Sequence, residues 1–274
     1  MNANHLNTTV TFEYGTTTGY GNISTPTPNS ISGNDNVTLN TSISGLIPGT
    51  AYHFRVKAEN QLGVSYGNDN TFTTPITVND QDGNVYTTVI IGTQTWMVEN
   101  LKTTKFSDGA AIPEVTDNNS WISLNSSAVC WYNNDLATYK VPYGALYNWY
   151  AVNSGKLCPT GWHVPTQSDW TLLVKTLGGA ELAGVKMRET GTAHWVPPNT
   201  NATNVSGFTL LPAGDRDGQY DGTFWNITLR TYLWSSTEYS SSEATFIHVD
   251  TGNTGATLGH FNKRIGCSVR CVKN

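Results

Sequence analysis

Along the first 74 residues, short β-branched and aromatic runs alternate with Gly, Pro and Asn, as in Thr9-Val10-Thr11-Phe12-Glu13-Tyr14 followed by Gly15, and no helical period is present. This stretch predicts an all-β unit. Its most specific element is the turn Leu46-Ile47-Pro48-Gly49-Thr50, which leads into a run placing Tyr52, Phe54, Val56 and Ala58 on one face of a strand. After Thr73-Thr74-Pro75 a strand–turn–strand unit begins at Ile76, with Asp80-Gln81-Asp82-Gly83-Asn84 as a turn of the hairpin kind that Asp-Gly supplies. Helical spacing occurs only in the middle of the second part. Leu146, Trp149 and Tyr150 share a face within residues 143–152. A second helix has defined ends: Thr166 caps it with Asp169 three residues on, Trp170, Leu173 and Leu177 form its apolar stripe, and Gly178-Gly179 stops it. Beyond Gly179 the pattern returns to short strands and long loops. Two helices within a β-rich segment predict an α+β domain, and the chain divides into residues 1–75 and 76–274.

The turn and strand from Leu46 to Asn60 resemble the fibronectin type III family, in which a Leu-x-Pro-Gly-Thr-x-Tyr corner precedes a late strand. The resemblance implies that the Tyr52 hydroxyl ties back to the backbone. A complete sandwich of this type takes about 100 residues, so the resemblance covers only its later strands. That implies either excision from a longer multidomain protein or completion by a partner. Excision is preferred, since an unpaired sheet edge is an aggregation hazard.

Composition narrows the function classes. The chain has 274 residues, 38% hydrophobic and 13% charged, with 26 Gly, 9 Trp and 13 Tyr, a neutral-polar and aromatic-rich make-up. A formal net charge of -5 leaves no basic stripe to neutralise phosphates. Nucleic acid is therefore not an expected partner. No apolar run reaches the length that spans a bilayer, so no membrane insertion is expected, and residues 1–5 lack the marks of a secretory signal. The four cysteines, Cys130, Cys158, Cys267 and Cys271, show neither metal-ligand spacing nor a redox Cys-x-x-Cys, which favours structural disulfides in an oxidising compartment over buried free thiols.

Six ordered motifs then come together: Ile91-Gly92-Thr93-Gln94-Thr95-Trp96-Met97-Val98-Glu99-Asn100-Leu101, Cys130-Trp131-Tyr132-Asn133-Asn134-Asp135, Tyr143 to Tyr150, Cys158-Pro159-Thr160-Gly161-Trp162-His163-Val164-Pro165-Thr166, Trp234 to Tyr239, and Ser268-Val269-Arg270-Cys271-Val272. Together they resemble the Fibrobacter succinogenes major paralogous domain family, over residues 77–274. The resemblance implies an exported or surface protein of Bacteroidetes or relatives. The family is in turn similar to the formylglycine-generating-enzyme branch of the C-type lectin fold, whose helix starts in a segment like Val164-Pro165-Thr166-Gln167-Ser168-Asp169-Trp170. The fold implied is thus a C-type lectin-like α+β domain with two helices and an irregular β-sheet, preceded by an all-β fibronectin type III-like partial sandwich. The resemblance also implies a disulfide between Cys158 and Cys271, because both hold family positions. Cys267 is an addition to the pattern, and its pairing with Cys130 stays open.

The candidate chemistry is sparse. The six histidines are scattered, and the cysteine pair on which formylglycine-generating oxidase chemistry depends has no counterpart. Asp215-Arg216-Asp217-Gly218-Gln219-Tyr220-Asp221-Gly222 resembles a calcium loop but lacks a closing Glu, so an ordinary Asp-Gly turn pair is the preferred reading. The sugar-binding triplets of calcium-dependent lectins do not occur. No metal and no cofactor is expected. Trp96, Trp131, Trp149, Trp162, Trp170 and Trp234 lie in the family motifs and are expected to build core rather than a stacking surface.

Between Tyr239 and Gly266 the chain departs from the pattern of its flanks. This span resembles the variable stretch of diversity-generating-retroelement proteins, in which adenine-directed mutagenesis rewrites Asn codons. Drift in a surface loop would leave a similar mixture. The span is expected to present a solvent-facing cluster drawn from Glu243, Thr245, Phe246, Ile247, His248, Thr251, Asn253, Leu258, His260, Phe261, Arg264 and Ile265. The expected function is that of an extracellular or cell-surface binding protein that takes a protein or glycan ligand through this face. A formylglycine-generating-type enzyme and a structural, fimbria-like component are the alternatives.

Overall fold

The alternating run that begins at Tyr52 forms the longest strand of the first unit, and the corner before it closes as its sequence requires. Tyr52 is buried and its hydroxyl accepts a hydrogen bond from Ile47 N at 3.1 Å, pinning the turn to the strand it precedes. In the computed structural model, which describes residues 2–274, the chain separates into two units, Met1–Ile76 and Thr77–Asn274. The first holds β1 (Thr8–Gly15), β2 (Asn22–Ser24), β3 (Ser30–Ile31), β4 (Ala51–Asn60), β5 (Gly63–Tyr66) and β6 (Asn70–Thr73). All belong to one antiparallel sheet in the order β2-β1-β4-β5, with β3 also on β1 and β6 also on β4. One face packs Val10, Ile31, Leu39 and Val56, with Tyr52 stacked on Phe72 at 5.7 Å. The opposite face carries Arg55 between the rings of Tyr20 and Tyr66, at 4.5 and 3.9 Å, and on the Glu13 carboxylate at 2.7 Å.

The second unit begins with the expected hairpin, β7 (Thr77–Asn79) and β8 (Val85–Ile91). Asp80 makes the turn: its carboxylate accepts the backbone N–H groups of Asp82 and Asn84, both at 2.9 Å, while Gly83 takes a φ of 77°. Then follow β9 (Gln94–Met97), α1 (Asn118–Ile122), β10 (Val129–Cys130), α2 (Leu136–Tyr143), β11 (Leu146–Tyr147), α3 (Trp149–Val152), β12 (Trp162–His163), α4 (Gln167–Thr176), α5 (Ala180–Met187), β13 (Ala213–Arg216), β14 (Phe224–Ile227), β15 (Arg230–Glu238), β16 (Glu243–Asp250), β17 (Thr257–Asn262) and β18 (Val272–Lys273). Two five-stranded sheets result, β12-β18-β9-β8-β7 and β14-β13-β15-β16-β17, with β10 and β11 as a separate pair. The unit is α+β. No described helix is long and apolar enough to cross a membrane.

Five α-helices stand among the described residues where two were expected. The helix read over residues 143–152 is broken, because Leu146 and Tyr147 pair with Cys130 and Val129 and only one helical turn follows, capped by Asn148. Every residue from Tyr143 to Trp149 is buried, so apolar spacing there carries no helical period that could be told from a buried strand. The helix after Thr166 forms as read, with the reciprocal Thr166–Asp169 capping box and with Trp170 and Leu173 buried. The chain does not return to loops after Gly179, whose φ of 100° instead starts α5.

Strand alternation splits the interior into two cores on either side of β15 and β16. Tyr232, Trp234, Ala244 and Phe246 join a core with Trp131, Trp149 and the disulfide. Leu233, Ile247 and Val249 join another with Trp96, Trp170, Leu173 and Phe208. Cys158 and Cys271 are bonded, 113 residues apart, with Cα atoms at 6.0 Å. Cys130 and Cys267 are buried free thiols. Cys130 lies opposite Leu146 and Cys267 opposite Tyr147, so successive residues of β11 direct the two thiols to different sides.

Candidate recognition face

The sheet β14-β13-β15-β16-β17 assembles a constellation that no local motif announces. Tyr232 pairs with His248, His248 with Thr257, Phe246 with Gly259 and Ala244 with Phe261, so these side chains share one face. The parallel pair Gly214–Thr231 puts Asp215 on the Tyr232 side, and Trp225 lies directly across from Asp215. Arg230 and Asp250 project from the ends of β15 and β16 on the same side. The rings form a continuous patch, with centroid separations of 5.0 Å for Tyr232–Phe261, 5.4 Å for Tyr232–Phe246, 4.1 Å for Phe246–Phe261 and 5.7 Å for Tyr232–His248. Gly259 makes this possible, since a Cβ there would stand 2.7 Å from the Phe246 ring.

Polar groups edge the aromatic patch. Asp215 is 7% exposed and accepts from Asn226 Nδ2 at 2.6 Å. Burial pushes its carboxyl up to about 6, and the Asp217 charge adds to that, while the Asn226 hydrogen bond and the Arg230 guanidinium oppose it. Arg230 is exposed, and the Tyr232 hydroxyl beside it raises its pKa further above the usual guanidinium value. Burial lowers the His248 pKa against the pull of Asp250, which keeps the ring neutral, and its Nδ1 has no hydrogen-bond partner among the described residues.

The expected contact residues part company here. Phe246, His248 and Phe261 come together on this face, but only His248 and Phe261 keep partial exposure, Phe246 being 6% exposed beneath them. Glu243 and His260 lie on the opposite face at the far end of the strands, where His260 Nδ1 meets Glu243 Oε2 at 3.1 Å and the ring stacks on Tyr239 at 3.9 Å. Thr245, Ile247 and Leu258 share that opposite face: Thr245 and Ile247 are buried, and Leu258 is partly buried against the α4 core. Thr251 donates to Val196 O at 2.9 Å, Asn253 accepts from Gly255 N at 3.0 Å, and Arg264 donates to Leu124 O at 2.8 Å. Ile265 is core. The expectation of a solvent-facing cluster is therefore corrected for Thr245, Phe246, Ile247 and Ile265. The span is two paired strands between two cores, and pleating buries alternate residues on both sides.

Trp225, Arg230, Tyr232 and Asp250 were not singled out in the sequence. No local signal marks them: Trp225 lies outside the motifs, but so do Trp121 and Trp195, which are buried. Asp217, read with Asp215 and Asp221 as a turn or a calcium loop, is an amide-binding carboxylate: it accepts from Gln219 N at 3.1 Å, Tyr220 N and Asp221 N at 2.7 Å and Gly222 N at 3.1 Å. Asp221 accepts from the Thr223 N–H and hydroxyl, and Asp215 faces Asn226. No group of His, Cys, Asp or Glu among the described residues is placed to hold a metal ion.

A family model described as the Fibrobacter succinogenes major domain matches residues 89–273, two thirds of the chain and all of this face. The chain belongs to this family. Comparison with curated proteins and with solved structures returned no match. Within the major domain, the family motifs build the frame behind the face. Cys158 and Cys271 form the disulfide, Trp96 packs on Trp170 at 4.7 Å, and Asn100 holds Arg270. Seven of the nine tryptophans of the chain are fully buried and Trp162 is half-buried, whereas Trp225 is 57% exposed.

Proposed function

We propose that the chain is a surface-displayed or secreted binding protein, of adhesin or receptor type, that takes a protein or glycan ligand through the C-terminal sheet face of a C-type lectin-like major domain. In this reading the first unit is a fibronectin type III-like partial sandwich, which the Tyr52–Ile47 corner supports. The Cys158–Cys271 bond supports an extracellular or cell-surface setting. One observation carries the functional reading: an exposed tryptophan, a partly exposed His–Phe patch and charged groups share one sheet face that the two cores hold rigid. Both free thiols are buried and pushed towards the protonated form by that burial, which gives an oxidase reading no support.

Binding to arrays of extracellular proteins and of glycans tests the proposal. The wild type should bind a defined ligand, and H248A/F261A should lose it while L172A, on the outer side of α4, keeps it. Equal binding by both variants would move recognition elsewhere. The variable-protein reading has its own test: a reverse-transcriptase gene beside the coding sequence, with a near-copy of the last forty codons.

A further inference from the structure

Given the recognition reading of this face, on which this inference rests, we infer that its ligand is an uncharged glycan, with Trp225 as the stacking platform and Arg230 and Asp250 as the groups that bond its hydroxyls. Trp225 is the one tryptophan left largely in water, on β14 directly opposite Asp215. A flat indole offers its electron-rich face to the polarised C–H groups of a sugar ring, a contact that needs no deep pocket.

The charges select against the other classes. Asp250 accepts and Arg230 donates, so a hydroxyl, which does both at one atom, is satisfied by either. Two carboxylates against one guanidinium oppose phosphate, sulfate and uronate groups. A protein ligand would anchor by sinking an aromatic or Arg side chain into a desolvated apolar pocket. On this face Tyr232 and Phe246, 7% and 6% exposed, already occupy the aromatic floor into which such an anchor would sink.

The test uses the full chain against immobilised neutral oligosaccharides derived from cellulose, xylan, mannan and galactan, beside sialylated, sulfated and uronate-bearing oligosaccharides. At least one neutral series should bind. W225A and R230A should each weaken it at least tenfold with unchanged melting, and W225F should retain more binding than W225A. Binding only to the anionic set would overturn the charge argument. Absence of binding to every oligosaccharide would overturn the glycan inference, and a protein ligand lost in W225A would then leave the recognition face standing. Neutral glycans held equally by wild type and W225A would place the site elsewhere and bring down both readings. Should W225A melt early, R230A, altered at an exposed position, decides alone.

Discussion

Asn100 Oδ1 accepts from both Nε and Nη2 of Arg270, at 3.2 and 2.9 Å, across 170 residues of sequence. Asn100 Nδ2 in turn donates to Tyr143 O at 2.9 Å, and Arg270 reaches Phe208 O with Nη1 while its guanidinium lies 4.2 Å over the Phe208 ring. Three distant segments are thereby fixed to the end of the chain. The guanidinium is fully buried, and burial lowers its pKa to about 9, so it carries its charge at neutral pH. Asn100→Ala should cost about 3 kcal/mol in urea unfolding of the second unit, because it strips a buried charge of its acceptor. A loss under about 1 kcal/mol would mean that water replaces the amide.

The disulfide and the two free thiols should behave oppositely. Replacing Cys158 and Cys271 by Ala should destabilise by roughly 4–5 kcal/mol on the chain-entropy model for a loop of this length. Burial pushes Cys130 up to about 12 and Cys267 well above the usual thiol range. Thiol titration of the native protein without reductant should find no reactive group, and in denaturant two. Peptide mapping that finds Cys271 free would contradict the bond.

Asp215 should make the second unit less stable as pH rises. Its folded pKa, about 6, lies above the ordinary 3.8, so its contribution is fully present below about pH 4 and is lost as pH rises through 6. Asp215→Asn should therefore stabilise by about 2–3 kcal/mol above pH 7 and give no difference below pH 4. Thermal melts of both proteins from pH 3.5 to 8 check the convergence.

Asp217 should be important for stability without any cation. Its carboxylate already accepts four backbone N–H groups of the turn it closes, which leaves little for a metal to take. Asp217→Ala should lower the melting temperature equally in chelator and in millimolar calcium. A calcium-dependent gap between wild type and variant would restore the cation loop.

Serine at Phe246, His248, His260 and Phe261 together should not leave melting intact. Phe246 lies in the core and over Gly259, and its truncation alone should cost about 3–5 kcal/mol. His260→Ser, at an exposed position at the far end of the opposite face, should stay within about 0.5 kcal/mol of wild type. Chemical denaturation of the two single variants separates core from surface in this span.

Local rules were enough for some of this protein. The Asp80–Asn84 hairpin and the Thr166 capping box form as read, because each depends on residues within about six positions that satisfy one another's backbone groups, whereas the tie from Tyr52 to the Leu46–Thr50 corner is what the fibronectin type III resemblance implied. The Cys158–Cys271 bond followed from family resemblance rather than from spacing. Where pattern failed, long-range packing had removed the pattern: Leu146 and Tyr147 sit in a fully buried stretch whose partner strand is at Val129–Cys130. The proposed recognition face is the least legible part. Phe246, His248 and Phe261 were found as odd residues in an odd span, but nothing in one dimension tells even from odd positions of β16, and their register against Tyr232 and Gly259 decides which side chains meet water. Trp225 and Asp215 come beside them only through a single parallel bridge between Gly214 and Thr231. Local sequence suffices for the turns, the caps and the supply of aromatic and polar side chains. Which of them share a face is set by strand pairing, which is non-local, and a shift of one residue would turn every side chain to the other side.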